Sequence, residues 1–353
     1  FLIYSNGNNF NSCKAINMGN DGFQHGAYVQ GGQNIFTSCF FSKNAGASWN
    51  FRGASLIKDN GGNKLIGCTS EDANGMHLNF TNVDINNSAM FADETPSNRY
   101  NNVIGCTFRN TKGYFKREND GFAQIITNTV KVKFDNNIFE DLSVEQQWVS
   151  IDNQNVDFTN NTFVITNITD SDLINTSTEL MVFHDGEGII SNNQVIGRWG
   201  GRVASFRGDY KISKLISKDS YEGIKTSNSS VTGINQVKLD NCHIVSDERS
   251  LVEFNKNQRF TKNHFETTVG SYITNSLQVN LEATIFEDND FYGEFRVGNI
   301  TDLSIEKPLI RNNRIKYYAS NQQLNRNSGA QEIFAPLESI AQCKGVKLDS
   351  SGS

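Results

Sequence analysis

Apolar and polar positions along this chain follow a repeating six-residue phrase: an apolar residue, two free positions, then Asn, Cys or Asp, one free position, and another apolar or small residue. It reads Phe10-Asn-Ser-Cys13-Lys-Ala15, Phe36-Thr-Ser-Cys39-Phe-Phe41, Leu65-Ile-Gly-Cys68-Thr-Ser70, Val103-Ile-Gly-Cys106-Thr-Phe108 and Phe134-Asp-Asn-Asn137-Ile-Phe139. Further copies span 158–163, 190–195, 216–221 around Asp219, 239–244 around Cys242, 260–265, 286–291 and 310–315. Most copies lie 21 to 32 residues apart, one coil of a solenoid, and only the step from Cys68 to Cys106 is longer.

Within each coil the alternation of apolar and polar residues has the period of strands, not of a helix. The two halves of the phrase form two strands, PB2 and PB3. A further strand upstream, PB1, is predicted at Phe1–Asn6, Ala27–Gln30, Ser55–Lys58, Trp148–Asp152, Met181–His184, Val203–Arg207 and Leu251–Phe254. Gly- and Asn-rich turns such as Asn60-Gly-Gly-Asn63 and Asp185-Gly-Glu-Gly188 follow it. Asparagine tolerates left-handed backbone, and stacked at the bend between PB2 and PB3 it can bond up and down the stack as a ladder. Proline, which cannot donate to a strand ladder, is confined to Pro96, Pro308 and Pro336.

Five cysteines, Cys13, Cys39, Cys68, Cys106 and Cys242, occupy the ladder position itself. The first four are 26, 29 and 38 residues apart, which matches no metal-binding signature, so they read as small buried residues standing in for Asn. No metal and no cofactor is expected. Unpaired buried cysteine also argues against maturation in an oxidising compartment.

These repeats resemble the right-handed parallel β-helix of the pectate-lyase-like superfamily over residues 1 to 316. Asn136-Asn137-Ile-Phe139, Asn160-Asn161-Thr-Phe163 and Asn192-Asn193-Gln-Val195 carry the resemblance most clearly. The fold expected is all-β: a single-stranded parallel β-helix of about 12 coils, about 58 Å long at ~4.8 Å per coil. Residues 317–353 are expected to be a cap or linker. The chain starts inside a strand without Met, so upstream coils or a capping element are expected to be missing from it. The resemblance implies a polysaccharide ligand.

Composition then narrows the class. A net charge of −6 gives no global basic field for nucleic acid, and no run of about 18 apolar residues is present to cross a membrane. Short coils rich in Asn, Ser, Thr and Lys, without evident disulfides, resemble bacteriophage tailspikes more than secreted pectinases. That resemblance implies a depolymerase of bacterial capsule or O-antigen, a homotrimer, and a place on the virion tail or outside the cell. A non-catalytic adhesin or structural fibre of the same fold is the alternative.

Counting back nine residues from the ladder position puts Asp152 and His184 in one outward column of PB1, with Arg207 on the next coil. A carboxylate beside an imidazole sets the orientation and pKa that proton transfer needs. Asp185 and Glu187, in the adjoining turn, are candidates for the second carboxylate of a hydrolase. The superfamily implies the same face, because its enzymes work from a groove over PB1. An alternative pair, Glu71 and Glu140, lies two coils apart on PB3 with Arg109 between, an arrangement that also reads as a plain charge ladder. His77, Asn79, Tyr100, Tyr114 and Trp148, with Lys116 and Arg117, are expected to line the sugar path, His77 and Asn79 pointing outward near the base of an excursion over about 87–101. The Tyr114, Lys116 and Arg117 loop would suit β-elimination on a uronic acid. The carboxylates near His184 favour hydrolysis.

Overall fold

Each copy of the phrase folds as two short strands joined by a tight bend, and the computed structural model stacks these bends in one line. The structure describes residues 1–19, 24–52, 61–81, 100–111, 123–128, 131–142, 147–151, 155–166, 178–227, 236–252, 257–267, 272–276, 284–297 and 309–316. In the first three coils PB2 runs Asn9–Asn11, Ile35–Thr37 and Lys64–Ile66, and PB3 runs Lys14–Ile16, Phe40–Ser42 and Thr69–Ala73. Equivalent strands of neighbouring coils pair in parallel. Twelve PB3 strands form one sheet. PB1 and PB2 strands share a second, because in coils 7 and 8 they are continuous as Glu179–Ser191 and Trp199–Ser213. The PB1 strands of coils 11 and 12, Tyr272–Ser276 and Glu294–Val297, pair separately. The described residues form a right-handed parallel β-helix of twelve coils. Among the described residues no helix is long and apolar enough to cross a membrane.

One left-handed residue sets each bend. φ lies between 52° and 61° at Ser12, Ser38, Gly67, Gly105, Asn136, Asn160, Asn192, Lys214, Asn241, Lys262, Asp288 and Asn312, each just before the ladder position. Eight of these twelve are Gly, Asn or Asp, the residues that adopt this backbone at least cost. The ladder follows: Asn161 accepts at Oδ1 from the backbone N and Nδ2 of Asn137 (3.0 and 2.9 Å) and donates its own pair to Asn193 Oδ1 (2.9 and 3.1 Å). Asn263, Asn289 and Asn313 repeat the pattern.

The cysteines continue the ladder as expected, with Cys106 Sγ accepting from the Cys68 backbone N at 3.4 Å. Cys39, Cys68, Cys106 and Cys242 are buried. Burial pushes the Cys39 thiol up to about 11 and the Cys242 thiol up to about 12, so both stay protonated. Cys13 is partly exposed.

Two registers differ from the sequence reading. In coil 8 the bend is Lys214-Leu215, not the segment around Asp219: Ile216 pairs with Gln194, and the His243 N–H reaches the Leu215 carbonyl. Leucine fills the ladder position, so the polar signal vanishes and the next acidic residue mimics it. In coil 3, PB1 is Trp49–Arg52, paired with Ala27–Val29 and Leu78–Thr81. Ser55–Lys58 lie outside the described residues.

A second asparagine ladder, at the turn into PB2, was not foreseen. Asn8, Asn34, Asn63 and Asn101 bond in series, each backbone N–H donating to the next Oδ1 at 3.0–3.1 Å. Between the ladders runs an aromatic core in which rings on successive coils stack, as in Phe139–Phe163 (4.7 Å between centroids) and Phe260–Phe286 (4.8 Å).

Candidate functional site

On PB1 the strand 147–151 pairs with the start of Glu179–Ser191, which pairs in turn with Trp199–Ser213. Phe183 and Phe206 point inward and stack at 5.3 Å, which turns the next residue of each strand outward. His184 and Arg207 are therefore direct partners on adjacent coils, both partly exposed. Asp152, the third member of the expected column, lies outside the described residues.

Immediately after His184 the register shifts, and the chain turns the corner from PB1 to PB2. The Tyr210 hydroxyl donates to the His184 carbonyl at 3.4 Å at that corner. Asp185 sits in the shift. Glu187 falls beyond it, on PB2, paired with Asn155 and Asp209 and exposed. Tyr100 lies on the same PB2 face, with Lys131 Nζ 5.6 Å from its ring centre. Partial burial, followed by the nearby charges of Asp157 and Glu187, raises its phenol above the usual range. Tyr100 and Glu187 thus belong to one neighbourhood, and His184 and Arg207 to the one before the corner.

At the other end of the same PB1 strands is a feature the sequence reading missed. Glu179, Arg202, Glu222 and Arg249 pair across four coils. Arg202 donates Nη1 to Glu179 (2.5 Å) and Nε and Nη2 to Glu222 Oε2 (3.1 and 2.7 Å), while Arg249 bonds the other Glu222 oxygen. Ser205 Oγ donates to Glu179 at 2.5 Å. Glu222 is only 1% exposed, whereas Glu179, Arg202 and Arg249 are partly exposed, so this is an alternating charge chain with one buried carboxylate. The available signal was spacing: Glu179 and Arg202 each stand five residues before His184 and Arg207. The outer face between is covered, since Val182 is fully buried and Ser205 nearly so.

Glu71, Arg109 and Glu140 occupy one PB3 column as expected. Arg109 gives both Nε and Nη2 to Glu71 Oε2, at 2.9 and 2.6 Å, which neutralises that carboxylate and makes the column a charge ladder.

Two expected sugar-contact residues are interior instead. His77 is fully buried. Ser70 occupies the inward PB3 site where the flanking coils carry Phe41 and Phe108, and the His77 imidazole fills the space, edge-on to Phe108 at 6.1 Å. Ser70 Oγ lies 2.6 Å from Nδ1 and Thr111 Oγ1 3.3 Å from Nε2. Burial lowers the imidazole to about 3, so it is neutral and structural. Trp148 is also fully buried, edge-on to Trp199 at 5.7 Å in the corner between PB3 and PB1. Asn79 keeps its outward direction but is 8% exposed, donating to Asn50 Oδ1 at 3.2 Å. Tyr114, Lys116 and Arg117 lie outside the described residues, as do residues 87–99 of the excursion. Among the described residues no group of three or more His, Cys, Asp or Glu is placed to hold a metal ion.

His77 gives the fold an acid limit. Its folded pKa is depressed from 6.5 to about 3, so the folded state resists a proton that the unfolded chain accepts. Stability is expected to be intact above pH 6.5 and to fall by about 1.4 kcal/mol per pH unit below it, toward pH 3. Urea titrations of wild type and His77→Gln across this window check it. Equal slopes for the two proteins would contradict the assignment.

No protein-family model matches the chain, and no curated protein matches it.

Proposed function

We propose that the protein binds and cleaves a bacterial capsular or O-antigen polysaccharide laid along PB1 over coils 6 to 8. His184 acts as the general acid or base, and Arg207 neutralises negative charge on the sugar or in the transition state. The observation that supports this reading is the direct pairing of His184 with Arg207 at the outward rim of PB1. Outward imidazole and guanidinium side by side add little to packing, whereas together they supply a proton relay and a charge clamp. Hydrolysis is the preferred chemistry, with Asp152 or Asp185 as the carboxylate partner.

The wider reading, a tailspike-like homotrimer carried on a virion tail or acting outside the cell, rests on the resemblance of the coils and on composition. A non-catalytic glycan adhesin is the alternative. It is favoured by the mutual neutralisation of Glu179, Arg202, Glu222 and Arg249 and by the complete burial of Val182 on the same strands.

Incubation with a panel of purified capsular polysaccharides and lipopolysaccharides tests the proposal, reading reducing ends and the ultraviolet absorbance of unsaturated sugars together. New reducing ends without absorbance mean hydrolysis, and both signals mean β-elimination. Retention on a glycan with neither signal means an adhesin.

A further inference from the structure

Stacked charges in this solenoid generally alternate in sign. Glu71 meets Arg109, Arg202 sits between Glu179 and Glu222, Glu287 meets Arg311, and Asp290 meets Arg314. PB2 departs from that pattern in two columns, the acidic pair Glu187 and Asp209 on coils 7 and 8 and, two residues further along the strands, a cationic one. Lys211, Lys238 and Arg259 are direct partners on coils 8, 9 and 10, three cations in line at ~4.8 Å per coil. Like charges directly opposite on paired strands destabilise, so this arrangement carries a folding cost.

The neighbouring bend adds to it. Lys214 and Lys262 hold the left-handed positions on coils 8 and 10, both exposed, and Lys218 follows on coil 8. Arg259 is half exposed and reaches Glu287 at 3.3 Å. Among the described residues no carboxylate pairs with Lys211, Lys214, Lys238 or Lys262. Asp240, two residues past Lys238, accepts instead from Thr261 at 2.8 Å. Against a chain of net charge −6, the stripe is a local concentration of cations, bordered on the same strands by Asp209 before Lys211 and Asp240 after Lys238.

The geometry points to a docking site for an acidic polysaccharide, whose carboxylates recur along a linear chain, lying parallel to the solenoid axis on this face. Ile212, Leu239 and Phe260 point inward between the cations, and no described aromatic side chain stands on the outer face of these strands. The stripe thus supplies regularly spaced charge without the stacking surface that single-stranded nucleic acid uses. The negative charge of the whole molecule disfavours a duplex. This site lies on PB2, apart from His184 and Arg207 on PB1, and would hold a polymer whether or not PB1 cleaves it.

Affinity electrophoresis through gels containing polygalacturonate or neutral dextran tests the inference. Wild type is expected to be retarded by polygalacturonate alone, less so as salt is raised. The triple variant Lys211→Gln, Lys238→Gln, Arg259→Gln is expected to lose the retardation, and the single variant Lys238→Glu to lose most of it. Lys238→Glu should melt no lower than wild type, because it relieves like-charge repulsion, and the triple variant should melt close to wild type, because the Arg259–Glu287 pair that it also removes is half exposed and contributes little. Arg314→Gln, which removes an exposed cation of the PB3 face that belongs to neither site, should be retarded as wild type is, which shows that the retardation depends on this stripe. Migration of wild type unaffected by polygalacturonate, or retardation unchanged in both charge variants, would overturn the inference. So would tighter binding of duplex DNA than of polygalacturonate at equal salt.

Discussion

Replacing Arg202 by Met is expected to destabilise the fold by about 3–5 kcal/mol, the usual result of leaving a buried charge without its partner. Arg202 is the only side chain that bonds both Glu179 and Glu222 among the described residues. Glu222 retains Arg249, but loses two of its three guanidinium bonds while only 1% exposed. The two carboxylates are then left without the cation between them. Arg202→Lys should recover only part of the loss, because a single ammonium cannot reproduce the forked geometry. Urea denaturation measures both. A loss below about 1 kcal/mol in the Met variant would mean the ladder behaves like solvated surface pairs.

His184→Ala is expected to lower the rate of glycan cleavage by ~10²- to 10⁴-fold, the range typical of a lost general acid or base. Its side chain is partly exposed beyond the inward Phe183, so the melting temperature should stay close to that of wild type. One limb of the pH–rate profile should disappear with the imidazole, which a merely structural residue would not cause. Arg207→Gln should weaken substrate binding and rate while leaving that limb in place. A His184→Ala enzyme with wild-type turnover and an unchanged pH profile would remove His184 from the chemistry.

The strands around the bend between PB2 and PB3 were legible because the phrase has fixed internal spacing, with an apolar residue on either side of a residue that must bond up and down the stack. Where that chemistry is absent, as at Leu215, the register cannot be read by type. Only the left-handed Lys214 marks the bend, and lysine carries no turn signal. His77 and Trp148 failed for another reason. Strand alternation assigns them outward, but both lie at corners where the chain enters PB1, and a corner residue can turn into the core when a neighbour leaves room. Ser70 leaves that room for His77. Paired columns, by contrast, follow from counting once the bend is fixed, so His184 with Arg207 and Glu71 with Arg109 were readable. The Glu179 to Arg249 ladder was readable by the same count, since it shares the strands of His184 and Arg207.

The most direct measurement is a crystal structure of the His184→Ala protein soaked with the oligosaccharides that wild type releases from its best polysaccharide. Sugar density is expected over PB1 of coils 6 to 8, with a glycosidic oxygen facing the emptied imidazole position and a charged or hydroxyl group of the sugar within hydrogen-bond distance of Arg207. Saturating oligosaccharide that leaves PB1 bare and occupies only another face of the solenoid would contradict it.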